Sequence, residues 1–386
     1  MRLLHTADWH LGRGFHGAPL LDQQVTALDA LVELVSAESV DVVVIAGDVY
    51  DRQIPPADAV AVLSETLARL RSAGAVVVAI SGNHDSAARL RFADALLATA
   101  GVHMRSDART AGQPVVVPAN DGGPDLAVYP IPYLEPEIAR HQLGDPEART
   151  HAQVLHLALD RARTDLAAAG SRRRSVAVAH AFAAGGQPCD SERVLRLGGA
   201  DRVPLGILGG FDYVALGHLH GRQTFADGRM QYAGSPLPYS FSERQQRKGA
   251  WLVDIAADGG LQLEWADLPA GRPLACVRGP LDQLLTSRTW TAAERCWVQA
   301  VVTDQVVPRD PMARLRSRFP WAVSLTHEPP VAAGGDAETY RQRVAGRNDL
   351  DLVGDFVTHV TGAPLDHQGL VVCASVIDDT AREPAA

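Results

Sequence analysis

Asp, Asn and His recur in five short segments of this sequence, and their types suit the holding of metal ions. Asp8 and His10 stand two residues apart, as do His218 and His220. On an extended backbone such pairs point the same way. Between them lie Gly47-Asp48-Val49-Tyr50-Asp51, Gly82-Asn83-His84-Asp85 and His180. Two carboxylates (Asp8, Asp48), one amide (Asn83) and four imidazoles (His10, His180, His218, His220) are too many ligands for one ion and suit two that share a carboxylate. Two divalent cations against two carboxylates leave surplus positive charge for a hydroxide and a phosphate oxygen, the requirement of phosphodiester cleavage. With no thiolate in the set, mixed oxygen and nitrogen ligands favour Mn²⁺, Fe²⁺ or catalytic Zn²⁺ over a structural zinc.

Each segment directly follows a strand-like run. Leu3–Ala7 precedes Asp8, Val42–Ala46 precedes Gly47, Val76–Ser81 precedes Gly82, Val176–Ala179 precedes His180 and Val214–Leu216 precedes Gly217. Amphipathic stretches at Asp22–Ser39, with Val25, Leu28, Leu31, Val32 and Val35 on one face, and at Asp58–Ser72 separate the first three runs. This βαβαβ order predicts an α/β sheet with layers on both sides. Open α/β sheets bind ligands beyond the carboxyl ends of their strands, so residues far apart in sequence can converge there. Gly47, Gly82 and Gly217 would permit the close backbone approach a crowded site needs.

Residues 100–135 read as short strands and turns, and residues 148–168 as a helix. Hairpin signals surround Gly234 and Asp258-Gly259-Gly260. Pro269–Pro273 marks a boundary. Beyond it, Leu274–Val277, Trp297–Val302 and Trp321–Leu325 read as strands and Pro311–Phe319 as a helix, a small α+β domain. Residues 329–338 read as a linker, Asp349–Val360 as a helix and Arg382–Ala386 as a disordered tail. Three parts result: 1–270, 271–330 and 331–386.

The 386 residues exceed one ordinary core, and 46% hydrophobic with 21% charged residues marks a soluble globular chain. No apolar run is long enough to span a membrane. The first residues turn polar too early for a signal peptide, which predicts a cytoplasmic location. Four scattered cysteines without a CxxC pair argue against structural zinc and a disulfide framework. A net charge of −9 argues against a grip on DNA by basic surface alone. It leaves room for phosphate held through metal ions, or for basic surface borrowed from a partner.

The five segments, in this order, resemble the signature set of calcineurin-like metallophosphoesterases. His5-Thr6-Ala7-Asp8-Trp9-His10-Leu11-Gly12, Tyr232-Ala233-Gly234-Ser235-Pro236, Ser240-Phe241-Ser242-Glu243 and Lys248-Gly249 narrow the resemblance to the SbcD-type nucleases. It covers residues 1–270 well and is only architectural beyond 275. The resemblance implies a layered α/β metallophosphoesterase sandwich (1–270), a smaller α+β capping domain (271–330) and a helical C-terminal, partner-binding segment (331–386).

It further implies one metal on Asp8, His10, Asp48 and His220 and a second on Asp48, Asn83, His180 and His218, both most simply Mn²⁺, with Asp48 bridging. His84 would bind no metal but face the scissile phosphate and protonate the leaving oxygen, oriented by Asp51. The implied activity is 3′→5′ exonuclease on duplex DNA and endonuclease on single strands and hairpins. The implied partners are DNA, a second copy of the chain and, completing a heterotetramer, an SbcC-type coiled-coil ATPase; no GxxxxGK[ST] loop occurs in this chain.

Outside the segments the plainer readings prevail. His5 and Trp9 read as core, and Arg172-Arg173-Arg174 as a solvated face. Arg244, Arg247 and Lys248 divide evenly between DNA contact and none. Asp349–Val360 divides evenly between docking on the ATPase and packing on its own domain. Two other functions remain: an esterase of the same fold acting on a small phosphodiester or a phosphoprotein, and a scaffold without catalysis. Protein phosphatases usually carry GNHE where this chain has Gly82-Asn83-His84-Asp85, and scaffolds typically lose metal ligands, of which none is missing here.

Overall fold

The structure is a computed structural model that describes residues 1–170, 172–192, 202–330 and 346–382. Most of the expected 329–338 linker and the tail beyond Arg382 lie outside the described residues. The chain divides into two compact units, Met1–Pro273 and Leu274–Ala386.

In the first unit, β1 (Arg2–Thr6), α1 (Leu21–Ala37), β2 (Val42–Ile45), α2 (Ala57–Ser72), β3 (Val76–Ile80) and β4 (Val102–Arg105) alternate, and the four strands are parallel neighbours. Next come β5 (Val115–Val117), β6 (Leu126–Ile131), α3 (His151–Ala168), β7 (Arg174–His180), β8 (Tyr213–Gly217), β9 (Gln223–Phe225) and β10 (Met230–Tyr232). A hairpin of β11 (Gly249–Ile255) and β12 (Leu261–Asp267) closes the unit, with β11 antiparallel to β1.

These strands form two six-stranded sheets, β12-β11-β1-β2-β3-β4 and β9-β10-β8-β7-β6-β5. The α/β sheet read from the βαβαβ order holds β1, β2 and β3, and the layered sandwich is completed by a second sheet that holds β7 and β8. Continuous apolar runs hid the division, because a strand buried on both faces looks the same whether a helix or a second sheet covers it.

The period of two sorts each strand's side chains between layers. Leu3, Val42, Val44 and Val78 meet Val128, Val176, Val178 and Ala215 between the sheets. Leu4, Val43, Ile45 and Val77 pack under Leu28, Leu31 and Val35 of α1 and Leu63 and Leu67 of α2. Tyr129, Ala177, Val214 and Leu216 pack with Val154, Leu155, Ala158 and Leu159 of α3. Each aliphatic side chain so buried contributes about 1.5–3 kcal/mol. α3 starts where it does because Thr150 caps it: its hydroxyl accepts the Gln153 N–H at 3.2 Å, and the Gln153 side chain accepts the Thr150 N–H at 3.1 Å.

The second unit holds a parallel sheet of β13 (Leu274–Gly279), β14 (Trp297–Val302) and β15 (Ala322–His327). Val277, Val298 and Ala300 of this sheet share a core with Leu281 and Leu284 of a helix at Leu281–Thr286 and with Leu315 of α4 (Pro311–Arg318). Two further helices, α5 (Asp349–Thr361) and α6 (His367–Arg382), contact each other. α6 is absent from the sequence reading, since Val371, Val372 and Val376 are β-branched and weaken the helical signal. Among the described residues no helix is long and apolar enough to cross a membrane.

Candidate metal centre

The carboxyl ends of β1, β2, β3, β7 and β8 meet at one edge of the two sheets. The Asp8 N–H donates to Gly47 O at 3.0 Å and the His10 N–H to Asp48 O at 2.9 Å, tying the segments after β1 and β2 together. Across the sheets, His180 Nδ1 lies 2.9 Å from Ala46 O, and the His218 N–H donates to Asp8 Oδ1 at 3.0 Å. Asp8 (φ 53°), His10 (45°), Asp48 (48°) and His218 (105°) all take positive φ. Such strain costs about 1–3 kcal/mol per residue and persists where the surroundings over-determine it, as at functional sites. A Cβ on Gly82 would run into the Asp48 carboxylate, and one on Gly217 into the Ala46 carbonyl, so these close approaches require glycine.

The side chains converge as two overlapping groups. His10 Nε2 and His220 Nε2 face each other at 3.0 Å. Asn83 Oδ1 lies 2.9 Å from His180 Nε2 and 3.1 Å from His218 Nδ1. Asp48 Oδ2 stands between the groups, 3.5 Å from His10 Nε2 and 3.5 Å from His180 Nε2. Ligand atoms of Asp8, His10 and His220, of Asp8, Asp48 and His180, and of His10, Asp48 and His84 each lie within 4.8 Å of one another.

Burial holds His10 well below the ordinary imidazole range, His218 at about 3 and His220 below its usual value, so all three stay neutral, the form that binds a metal. Burial opposes charge on His180 too, but Asp48 and Asp8 outweigh it and raise that group to about 9. Burial likewise works against the Asp48 carboxylate, yet His180 holds it well below the usual range. Asp8, for which burial prevails, is pushed well above. Among the described residues, His10 Nδ1 and Asn83 Nδ2 are buried without a hydrogen-bond partner. Three neutral imidazoles, a charged His180–Asp48 pair and an Asp8 carboxyl whose charge burial opposes form a fully buried set that fits divalent cations, since grouping these ligands without metal costs desolvation for no return.

His84 and Asp51 meet through the main chain of Asp51. His84 Nδ1 lies 2.8 Å from the main-chain carbonyl of Asp51, while the Asp51 carboxylate is turned away, 3.7 Å from His10 Nδ1 and 3.6 Å from Arg13 Nε. The group of Asp51 that orients His84 is thus its backbone oxygen. A carbonyl only accepts, so the His84 proton sits on Nδ1. Asp85 sets this geometry: its buried carboxylate accepts the N–H groups of Gly82 (2.9 Å), Val49 (3.0 Å) and Tyr50 (2.9 Å), locking the loop after β3 to the loop after β2. Burial, and Asp48 nearby, raise Asp85 to about 7. The sequence placed Asp85 in a motif without giving it this task.

The sequence divides Lys248 evenly between DNA contact and none. It is only 4% exposed, which favours a structural role. Its ammonium pairs with Glu243 and donates to His220 O (2.8 Å), Ser235 Oγ (3.0 Å) and Gln246 Oε1 (2.9 Å). Lys248→Met should cost about 3–5 kcal/mol in urea unfolding, because it strands the buried Glu243 charge; a loss below 1 kcal/mol would show that the pair carries little of the fold. Arg247 is exposed and paired with Asp267. In the Arg172–Arg174 run, Arg174 is buried against Asp121 and the Pro124 carbonyl rather than solvated, and Arg172 reaches Asp212. His5 lies in the core between Tyr213 Oη (2.9 Å) and Leu216 O (3.1 Å), and Trp9 is fully buried.

The calcineurin-like phosphoesterase profile matches residues 1–222, and the SbcD-type profile described as the type 5 capsule protein repressor C-terminal domain matches residues 270–361. Among solved structures, an archaeal phosphodiesterase aligns at 10% identity over 69% of this chain and 100% of its own, with a TM-score of 0.30. A dimetal phosphatase from Danio rerio aligns at 16% identity over 69% of this chain and 96% of its own, with a TM-score of 0.40. The family and the Asp/His clusters together support a dinuclear metal site. Since the first profile spans more than half of its length, the chain belongs to the calcineurin-like phosphoesterases, and the domain that follows makes it one of SbcD type.

Proposed function

We propose that the protein is a Mn²⁺-dependent DNA nuclease, a 3′→5′ exonuclease on duplex ends and an endonuclease on single strands and hairpins. It would work in the cytoplasm with an SbcC-type coiled-coil ATPase in DNA end processing and repair. The observation that carries this reading is the SbcD-type domain at residues 270–361 behind a phosphoesterase metal centre. In this reading residues 271–330 cap the centre and the C-terminal segment binds the ATPase. Phe356 and Val360 of α5 and Val371, Val372 and Val376 of α6 support the second assignment, being apolar and exposed. The net charge of −9 supports a need for a partner's basic surface. A homodimer within a heterotetramer completes the assembly.

Asp8, His10, Asp48 and His220 would hold one ion, and Asp48, Asn83, His180 and His218 the other. When bound, the pair supplies the positive charge that makes water a nucleophile at neutral pH and polarises the phosphodiester. His84, with Nδ1 held by the Asp51 carbonyl, keeps Nε2 for the substrate and, as imidazolium, delivers a proton to the leaving oxygen.

The test is incubation of the purified protein and Mn²⁺ with end-labelled duplex and hairpin DNA, alongside bis(p-nitrophenyl) phosphate. Cleavage of both DNAs is expected, and EDTA should abolish it. Hydrolysis of the small diester alone, with no DNA cut even when the ATPase is added, would return the protein to the broader class of esterases acting on small phosphodiesters or phosphoproteins.

A further inference from the structure

His220 is held from behind by a chain of hydrogen bonds whose direction can be read. Its Nδ1 lies 2.7 Å from Ser191 Oγ, and Ser191 Oγ lies 2.6 Å from Glu243 Oε1. Glu243 also accepts the Tyr239 N–H at 3.1 Å and is paired through its other oxygen with the buried Lys248. A carboxylate in that setting only accepts, so the one hydroxyl proton of Ser191 goes to Glu243. Ser191 Oγ must then accept from His220, which places the imidazole proton on Nδ1. That leaves Nε2, the atom 3.0 Å from His10 Nε2, with a free lone pair. The direct approach of His220 Nδ1 to Glu243 Oε1, at 3.8 Å, is too long to do this without the serine.

We propose that Ser191 is a positioning residue for the metal centre: clamped between Glu243 and His220, its hydroxyl fixes the imidazole tautomer and ring plane that present Nε2 to an ion. Metal-binding imidazoles commonly give their second N–H directly to a carboxylate or carbonyl, and loss of such a partner lowers metal affinity about 10–100-fold. Here a hydroxyl is interposed, and the charge that fixes its direction comes from the Lys248–Glu243 pair. Ser191 stands outside every motif read from the sequence and touches no other proposed ligand in the described structure. The inference rests on the reading of this site as a dinuclear centre.

The experiment uses the full chain as wild type, Ser191→Ala and Ser191→Thr. Mn²⁺ binding is followed by EPR titration, and histidine tautomers in the metal-free protein by long-range ¹H–¹⁵N NMR. Ser191→Ala should weaken one of the two ions about 10–100-fold, leave the other within a few-fold, and lose the pure Nδ1–H pattern of His220. Ser191→Thr, which keeps the hydroxyl, should restore both readouts. Wild-type Mn²⁺ affinity in Ser191→Ala would overturn the proposal. So would equal loss of both ions in Ala and Thr variants with a lowered melting temperature, because the role would then be structural. If the wild type binds no ion at all, the metal-centre reading falls, whereas the metal-free tautomer of His220 still decides whether Ser191 sets the ring.

Discussion

Asp48→Ala should cost the protein both of its ions at once, leaving less than one metal per chain by plasma mass spectrometry where the wild type carries two. One carboxylate does three things here. Its Oδ2 is equidistant, at 3.5 Å, from Nε2 of His10 and of His180, one in each ligand group, and its Oδ1 accepts the His84 N–H at 2.9 Å. Removing it takes the shared negative charge from both groups and releases the loop that carries His84. Activity on a small phosphodiester should fall about 10³-fold or more, the several kcal/mol of charge stabilisation that metal ions supply. An alanine variant that still held two ions would show that Asp48 does not bridge.

His84→Gln should give the opposite pairing: both ions kept, DNA still bound, and kcat lowered about 10²–10⁴-fold, the range for loss of a general acid. The ring is only partly buried, and its Nδ1 is occupied by the Asp51 carbonyl, unlike the fully buried imidazoles whose ring nitrogens face one another. Its atoms also lie within reach of those of His10 and Asp48, so ligation is the competing role. Metal content separates the two, because a variant short of one ion would make His84 a ligand. A substrate with a leaving group that needs no proton, such as p-nitrophenolate, should lose far less activity than DNA does.

What the sequence made legible was local. A strand followed at once by Asp, Asn or His is a short-range pattern, and the segments around Asp8, Asp48, Asn83, His180 and His218 all converge as their positions after strands suggested. Features that depend on contacts between distant segments were not legible. The division into two sheets left no trace in Val42–Ile45 or Val176–Val178, because either arrangement buries both faces. Nothing in a sequence distinguishes the carboxylate of Asp51 from its carbonyl, yet the carbonyl holds His84. Lys248 stayed undecided between DNA contact and none because its partner, Glu243, lies in an adjoining turn whose burial no periodicity reports. Asp85 could have been found: a carboxylate ending a glycine-led loop is well placed to collect the backbone N–H groups of a neighbouring loop, as it does here.

Lys248 is the only lysine in the chain, and it is buried. Every permanent side-chain cation on the folded surface is therefore a guanidinium. Lysines elsewhere have their charge removed by acetylation or serve as attachment points for ubiquitin-like modifiers, whereas guanidinium groups take neither modification and keep their charge across the whole physiological pH range. The cationic side chains of this surface are thus closed to acylation. An enzyme that tunes protein function by acetylating lysine would find no target here until the chain around His220 opens, at which point the one side-chain amine it exposed would belong to the support of the metal centre itself.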